Sequence, residues 1–329
     1  MHGKENMNKL VSIITPCYNG EKYLDNYFQD ILQQDYSNCE IIFVDDGSID
    51  STSQIVSRYR PLIEKKGYVL KYYYQENAGQ GIAIANGIKK VMGEYLIWPD
   101  CDDRLSRDSI SKRVKYLEEY PEYGIVRSEG TVVDEKEPER IIKYISGKSE
   151  HRFDEHLFEN YLFGNCAWLQ PGSFMLRVSA LDNANPDRYI YPIRYGQNWQ
   201  MLLPVMYYYK CGYIDEPLFT YVLHRGSASD CKGKTYQYLI SREKMYYEII
   251  SETVKHMQIP DADQYLKKLE IYYLRRYLTV SYTNSNESEV KLYYNKLKKL
   301  KAVRFKDFLK AKSLKFKVSH TLYKRIVGK

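Results

Sequence analysis

Three carboxylates within four residues, Asp100-Cys101-Asp102-Asp103, are the densest concentration of chemistry in the chain. Like charges so close repel one another unless something positive lies between them. A hard divalent ion whose shell is completed by phosphate oxygens is the usual resolution. The same acids would also suit a loop that caps the helix after it. Two further polar clusters stand upstream, Thr15-Pro16-Cys17-Tyr18-Asn19 and Asp45-Asp46-Gly47-Ser48. Each of the three follows a short apolar run, and doubly wound sheets bind their ligands at the carboxyl ends of strands.

Those runs are the elements that must position the clusters. Leu10 to Thr15 and Cys39 to Val44 are continuous, β-branched and too short for helices, so they read as buried strands. Val69 to Tyr74 and Glu94 to Trp98 read as a third and a fourth, the last stopped by Pro99. Between them, Tyr23, Leu24, Tyr27, Phe28, Ile31 and Leu32 recur at helical spacing. A helix is predicted from about Ser51, with Asp50 or Ser51 as its N-cap, and others end near Gly93 and start at Ser106. The alternation predicts βαβ units and a mainly parallel, doubly wound α/β sheet. Beyond residue 150, strands are expected at Ser173 to Leu176 and Tyr213 to Phe219, around a helix from Asn198 to about Tyr208. From Lys234 the pattern is helical almost to the end. A domain is therefore predicted over 1–230, in halves 1–130 and 131–230, with a helical appendage over 231–329.

Of the 329 residues, 44% are hydrophobic and 28% charged, an ordinary globular balance. The six cysteines show no CxxC pair, which argues against a zinc site or a disulfide framework and for a reducing compartment. No apolar run reaches the ~18 residues of a membrane span, and the N-terminus lacks a signal-peptide core, so a cytoplasmic location is expected. Charge is unevenly spread. Lys291 to Lys329 holds fourteen Lys or Arg and one acid, a net of +13, so the preceding 290 residues carry −6 of the chain's +7. Interleaved with Leu, Phe and Tyr, this basic tail suits an anionic membrane face, or simply a solvated helix surface. It carries no recognised nucleic-acid-reading module, so nucleic acid is not expected as a partner.

Taken together and in order, four segments resemble glycosyltransferase family 2 and its GT-A fold. They are SIITPCYNGEKYL at Ser12 to Leu24, VDDGSIDST at Val44 to Thr52, ENAGQGIAIANGI at Glu76 to Ile88 and GEYLIWPDCDDRL at Gly93 to Leu105. The resemblance implies an inverting, metal-dependent transfer of a sugar from a nucleotide-sugar, UDP-linked in kind, to a glycan or lipid-linked acceptor. It implies that Thr15, Pro16, Tyr18, Asp45, Asp46, Asn77 and Gly79 bind the donor nucleotide, with Asp45 accepting a hydrogen bond from the base. Asp102 and Asp100 would hold Mn²⁺ or Mg²⁺, and Asp103 would serve the diphosphate side or cap the following helix. In the Tyr221 to Ser229 segment, His224 matches a metal or diphosphate contact and Arg225 a phosphate partner. Gly172, in Gln170 to Met175, and Trp199 fall on the acceptor side.

One position departs from the family's pattern. Where many members carry Glu-Asp before Trp, with the Asp as catalytic base, this chain reads Gln197-Asn198-Trp199. An amide cannot take a proton at neutral pH. Three alternatives follow: another acid such as Asp187 or Asp182 stands in by residue type, the substrate phosphate acts as base, or the chain binds a sugar nucleotide without transferring it. In the first two cases Gln197 and Asn198 orient acceptor hydroxyls.

Overall fold

The computed structural model describes residues 9–165, 168–224 and 233–315, and the chain falls into two compact units, Met1–Ser227 and Ala228–Lys329. The first unit opens with β1 (Val11–Cys17), α1 (Leu24–Gln33), β2 (Cys39–Asp45), α2 (Thr52–Lys65), β3 (Val69–Tyr74), α3 (Gln80–Ile88) and β4 (Tyr95–Ile97). These strands pair in parallel in the order β3-β2-β1-β4. β1 and β2 are buried along their whole length, which is why they read as unbroken apolar runs. On α1, Leu24, Tyr27, Phe28 and Ile31 are each no more than 3% exposed, and burial of each stabilises by ~1.5–3 kcal/mol. Phe28 stacks on Phe43 of β2 and Tyr59 of α2, at ring-centroid distances of 6.1 and 4.8 Å. Ser51 occupies the N-cap position of α2, but it is the Asp50 carboxylate that accepts the Thr52 N–H, at 3.0 Å.

The second half of this unit is mixed rather than parallel. It contains β5 (Arg104–Leu105), α4 (Ser109–Glu119), β6 (Tyr123–Asp134), β7 (Glu137–Tyr144), α5 (Phe158–Leu162), β8 (Phe174–Arg177), α6 (Val178–Ala184), α7 (Gln197–Tyr208) and β9 (Lys210–Leu223). β8 runs antiparallel between β4 and β6, and β9 lies parallel to β6, giving the order β4-β8-β6-β9-β5 with β7 as a hairpin on β6. β6 extends well past the apolar Ile125-Val126 pair because its next residues, Arg127, Ser128 and Glu129, are wholly buried and polar. Arg127 donates from Nη2 to the carbonyls of Arg152 and Asp154 and lies over the Trp168 ring, while its Nε and Nη1 have no hydrogen-bond partner among the described residues. Arg113 of α4 donates to Ser109, to Ser128 and to the Gly172 carbonyl, at 2.7, 2.8 and 2.8 Å, and burial lowers its pKa to about 9. Glu129 accepts from Gly130 N–H and Ser146.

Among its described residues, the second unit is helical: α8 (Tyr236–His256), α9 (Ala262–Thr283), α10 (Glu287–Lys299) and α11 (Phe305–Lys315). Thr235 and Asn286 cap α8 and α10 by accepting N–H groups of their first turns. Arg276 of α9 binds the buried Glu243 of α8 with two guanidinium nitrogens. Among the described residues no helix is long and apolar enough to cross a membrane. Residues 316–329 of the basic tail lie outside the described residues.

Candidate functional site

The parallel strands deliver the three polar clusters to one end of the sheet, and the acidic segment is tied there from three sides. Gln80 of α3 donates to Asp100. Asp103 accepts the Val222 N–H of β9 at 3.1 Å, so it fastens the loop to a strand instead of capping α4, whose N-cap is Asp108. Arg104 and the Leu105 N–H bind the buried Asp30 of α1, the guanidinium in two bonds of 2.7 Å. A loop held this way is set before any ligand arrives.

Within it, Asp100, Asp102 and Asp103 each offer an oxygen within 4.8 Å of the others. Burial, reinforced by the neighbouring acids, pushes Asp100 up to about 8 and Asp103 well above the usual carboxylate range. Asp102 is also raised by burial, but the nearby His224 works against that shift. Asp103 Oδ2 is buried and has no hydrogen-bond partner among the described residues. These groups lack a positive charge, and a hard divalent cation fits them.

His224 follows β9. Its Nδ1 lies 3.0 Å from Glu135 Oε2, and a carboxylate only accepts, so that nitrogen carries the proton. Nε2 stands 3.6 Å from Asp102 Oδ2 and is buried without a hydrogen-bond partner among the described residues. A carboxylate fixing one imidazole nitrogen while the other faces an acidic cluster is the arrangement that orients metal-binding histidines. Glu135, itself paired with Lys22, was not predicted from the sequence. It sits in the charged β6–β7 turn, where no local pattern marks one acid among several.

Around Asp45 the nucleotide-side residues separate into two kinds. Asp45 is 1% exposed; Oδ1 accepts the Ser48 N–H at 2.8 Å and Oδ2 the Tyr72 hydroxyl at 2.5 Å. A carboxylate has about four lone-pair sites, so room for another donor remains. Asp46 accepts from Gln75, Ala78 N–H and Gly79 N–H, all at 2.8 Å, and is spent on holding the Asn77–Gly79 turn. That turn needs its glycine: Gly79 has φ +97°, and a Cβ there would lie 2.7 Å from Arg194 backbone. Arg194 in turn donates to Asn77. Tyr18 is 52% exposed at the open end of β1. Thr15 differs from expectation: it is wholly buried with its hydroxyl 2.7 Å from Tyr27 Oη, and Pro16 is buried beside it, so neither side chain is presented to an incoming nucleotide.

The acceptor-side expectations need correction. Asn198 Nδ2 donates to the Leu169 carbonyl at 2.7 Å, and its Oδ1 accepts the Trp98 indole N–H at 2.9 Å. Indole only donates, so the network fixes the amide's orientation. Asn198 is a clamp joining the start of α7 to the residue two before Asp100. Gln197 is 3% exposed, and Trp199 is half-buried in the same turn. Asp187 is exposed but at the wrong end of the sheet. The adjacent Arg188 donates to the carbonyls of Ile88 and Val91, which precede β4, whereas the acidic loop follows it. The length of α3, roughly 13 Å at 1.5 Å per residue, separates the two ends. Asp182 is bound by two of the three guanidinium nitrogens of Arg188, Nε and Nη2. Gly172 is a packing residue: a Cβ there would meet the Phe219 ring at 2.3 Å. Arg225 lies outside the described residues.

The pattern of the family described as Glycosyl transferase family 2 matches residues 12–184. The candidate teichuronic acid biosynthesis glycosyltransferase TuaG of Bacillus subtilis is 30% identical over 165 residues, covering 48% of this chain and 61% of TuaG. An uncharacterised glycosyltransferase of Rickettsia typhi is 32% identical over 179 residues, covering 53% of this chain and 54% of that protein. The chain thus spans little more than half the length of these curated relatives. Among solved structures, Staphylococcus aureus TarS with UDP-GlcNAc superposes with a TM-score of 0.61 at 17% identity, over 94% of this chain and 93% of that one. The mannosyltransferase PcManGT of Pyrobaculum calidifontis, solved with GDP-Man and Mn²⁺, gives 0.52 at 17% identity over 95% and 82%. At these identities the structures speak to the fold alone. A GT-A fold and a family pattern over more than half of its length place the chain in glycosyltransferase family 2.

Proposed function

We propose that this protein transfers a sugar from a nucleotide-sugar, UDP-linked, to a glycan or lipid-linked acceptor of the cell surface, with inversion and with a divalent cation, Mn²⁺ or Mg²⁺. The observation that carries the reading is the convergence of Asp100, Asp102 and Asp103 within 4.8 Å at the carboxyl ends of the parallel strands. His224 Nε2 stands over the same group. Asp102 and Asp100 would hold the ion, with His224 or Asp103 completing the protein's share. When bound, the ion would neutralise charge developing on the departing nucleoside diphosphate. Asp45 would accept from the base, Tyr18 would cover it, and the Asn77–Gly79 turn would present backbone beside it. UDP is favoured by the TarS neighbour solved with UDP-GlcNAc, and metal use by the PcManGT neighbour solved with Mn²⁺. The surface-polysaccharide setting draws on TuaG. Basic residues of 291–329 would hold the protein against an anionic leaflet, at about 1 kcal/mol for each well-placed cation.

A second reading, binding of a sugar nucleotide without transfer, is favoured by Asn198, whose amide is committed to Trp98 and Leu169. A thermal-shift panel of UDP-, GDP-, dTDP- and CMP-sugars with Mn²⁺ tests both, since a true donor raises Tm in step with its concentration over Kd. Hydrolysis of the stabilising sugar nucleotide supports transfer. Stabilisation with neither hydrolysis nor transfer to any added acceptor leaves the second reading, and no stabilisation by any member removes both.

Glu135 offers a separate check. Glu135→Gln weakens the acceptor that orients His224 and should lower Mn²⁺ affinity about 10- to 100-fold, as loss of an outer carboxylate does at histidine–metal sites. Mn²⁺ titration followed by electron paramagnetic resonance reads this directly; unchanged affinity would take His224 out of the metal's shell.

A further inference from the structure

Cys101 is the one member of the acidic segment that is not an acid, and its Sγ lies 3.6 Å from Cys17 Sγ at the end of β1. Strand register explains the meeting. β1 and β4 pair Val11 with Tyr95, Ser12 with Leu96 and Ile13 with Ile97; continued along both chains, that register brings Cys17 opposite Cys101. Adjacent strands run ~4.8 Å apart, inside the ~4.4–6.8 Å window of Cα separations that a disulfide spans. Gly20 leaves the space the sulfurs occupy, since a Cβ there would lie 2.3 Å from Cys17 Sγ and 3.5 Å from Cys101 Sγ. Cys17 is buried, whereas Cys101 is half-buried in the loop.

We infer that Cys17 and Cys101 form a reversible disulfide that disables the acidic loop. Hydrogen peroxide is the oxidant that fits. One of the two sulfurs attacks the peroxide, the O–O bond breaks, and one water leaves as that cysteine becomes a sulfenic acid. The other sulfur then attacks that sulfur, the S–O bond breaks, and a second water leaves with the S–S bond formed. In total two thiols and one peroxide give one disulfide and two waters. Bond formation closes the sulfur gap by roughly 1.5 Å at the residue between Asp100 and Asp102. A displacement of about 1 Å in groups that position a reacting centre can cost on the order of 100-fold in rate. The bond rests on the geometry of the two sulfurs; its effect on turnover rests additionally on the donor site proposed above.

The test uses the full chain, reduced and then treated with hydrogen peroxide. Non-reducing peptide mapping should recover a Cys17–Cys101 cross-link, and the thermal stabilisation given by Mn²⁺ should fall away and return with dithiothreitol. Cys101→Ala should keep its Mn²⁺ response through the same treatment. Cys17→Ala, equally unable to form the bond, should keep its response too and show no cross-link. Recovery of both thiols unlinked after treatment overturns the proposal, as does a cross-linked protein with an intact Mn²⁺ response. If the reduced protein shows no Mn²⁺ response at all, the donor-site reading fails while peptide mapping still decides the bond.

Discussion

Asp102→Asn should abolish metal-dependent turnover of the donor and leave the fold at least as stable as the parent without metal. Asp102 sits between two acids whose carboxyls burial and mutual repulsion already push upward. An amide of the same shape removes one charge from a cluster in which like charges oppose each other, so the metal-free protein loses nothing by it. The cost falls on the ion. A metal acting as Lewis acid on a leaving diphosphate supplies several kcal/mol of transition-state stabilisation, and at 1.36 kcal/mol per decade this is about three powers of ten in rate. Stability and activity should therefore part company. The parent should be stabilised by Mn²⁺, by about 2.7 kcal/mol at a hundredfold excess over Kd, with a matching rise in Tm, and the variant should not. Turnover of a UDP-sugar and a Mn²⁺ thermal-shift series, run side by side, measure both. Metal-dependent turnover surviving in Asp102→Asn would remove Asp102 from the ion's shell and, with it, the centre of the proposed site.

What could be read beforehand divides along physical lines. β1, β2 and β4 were legible because a parallel strand buried on both faces must be apolar throughout, and the partly exposed edge strand β3 because it is rich in Val and Tyr; the helices between them keep one apolar face. β6 carries no long apolar run, since Arg127, Ser128 and Glu129 are wholly buried yet polar. β7 escaped because an exposed hairpin strand rich in charge has no hydrophobic signature. At the site, the acidic segment announced itself through charge density. The direction of each side chain did not. Thr15 and Tyr18 are three residues apart on one strand end, yet one is sealed against Tyr27 and the other is open. Asp45 and Asp46 are adjacent and point to different tasks, one facing Tyr72 and the other holding the Asn77–Gly79 turn. Asp187 was eligible by residue type, but only the path of residues 188–194 along α3 reveals which end of the sheet it occupies.

Asn198→Asp is the sharper test of the position where the chain departs from its family. Restoring the acid should lower activity and stability together. The side chain lies between a group that only donates, the Trp98 indole, and one that only accepts, the Leu169 carbonyl. An amide serves both at once. An ionised carboxylate serves the indole but turns a second oxygen toward the carbonyl, leaving that acceptor unpaired at a cost of about 1–3 kcal/mol. For a unit of this size each kcal/mol lowers Tm by roughly 2–4 °C. The effect carries a pH signature. A protonated carboxyl can donate to Leu169 and accept from Trp98, much as the amide does, so the new acid is favoured in its neutral form and its folded pKa lies above the unfolded value of about 3.9. Stability relative to the parent is thus best preserved below that value and is lost as pH rises through the folded pKa. Thermal melts of both proteins between pH 4 and 8 should show curves that nearly meet at the acid end and separate toward neutrality. Because Trp98 precedes the acidic loop by one residue, Pro99, the loosened clamp should also reduce donor turnover at pH 7. A gain in turnover on introducing the acid would instead mean that position 198 faces the acceptor and that the clamp yields to it.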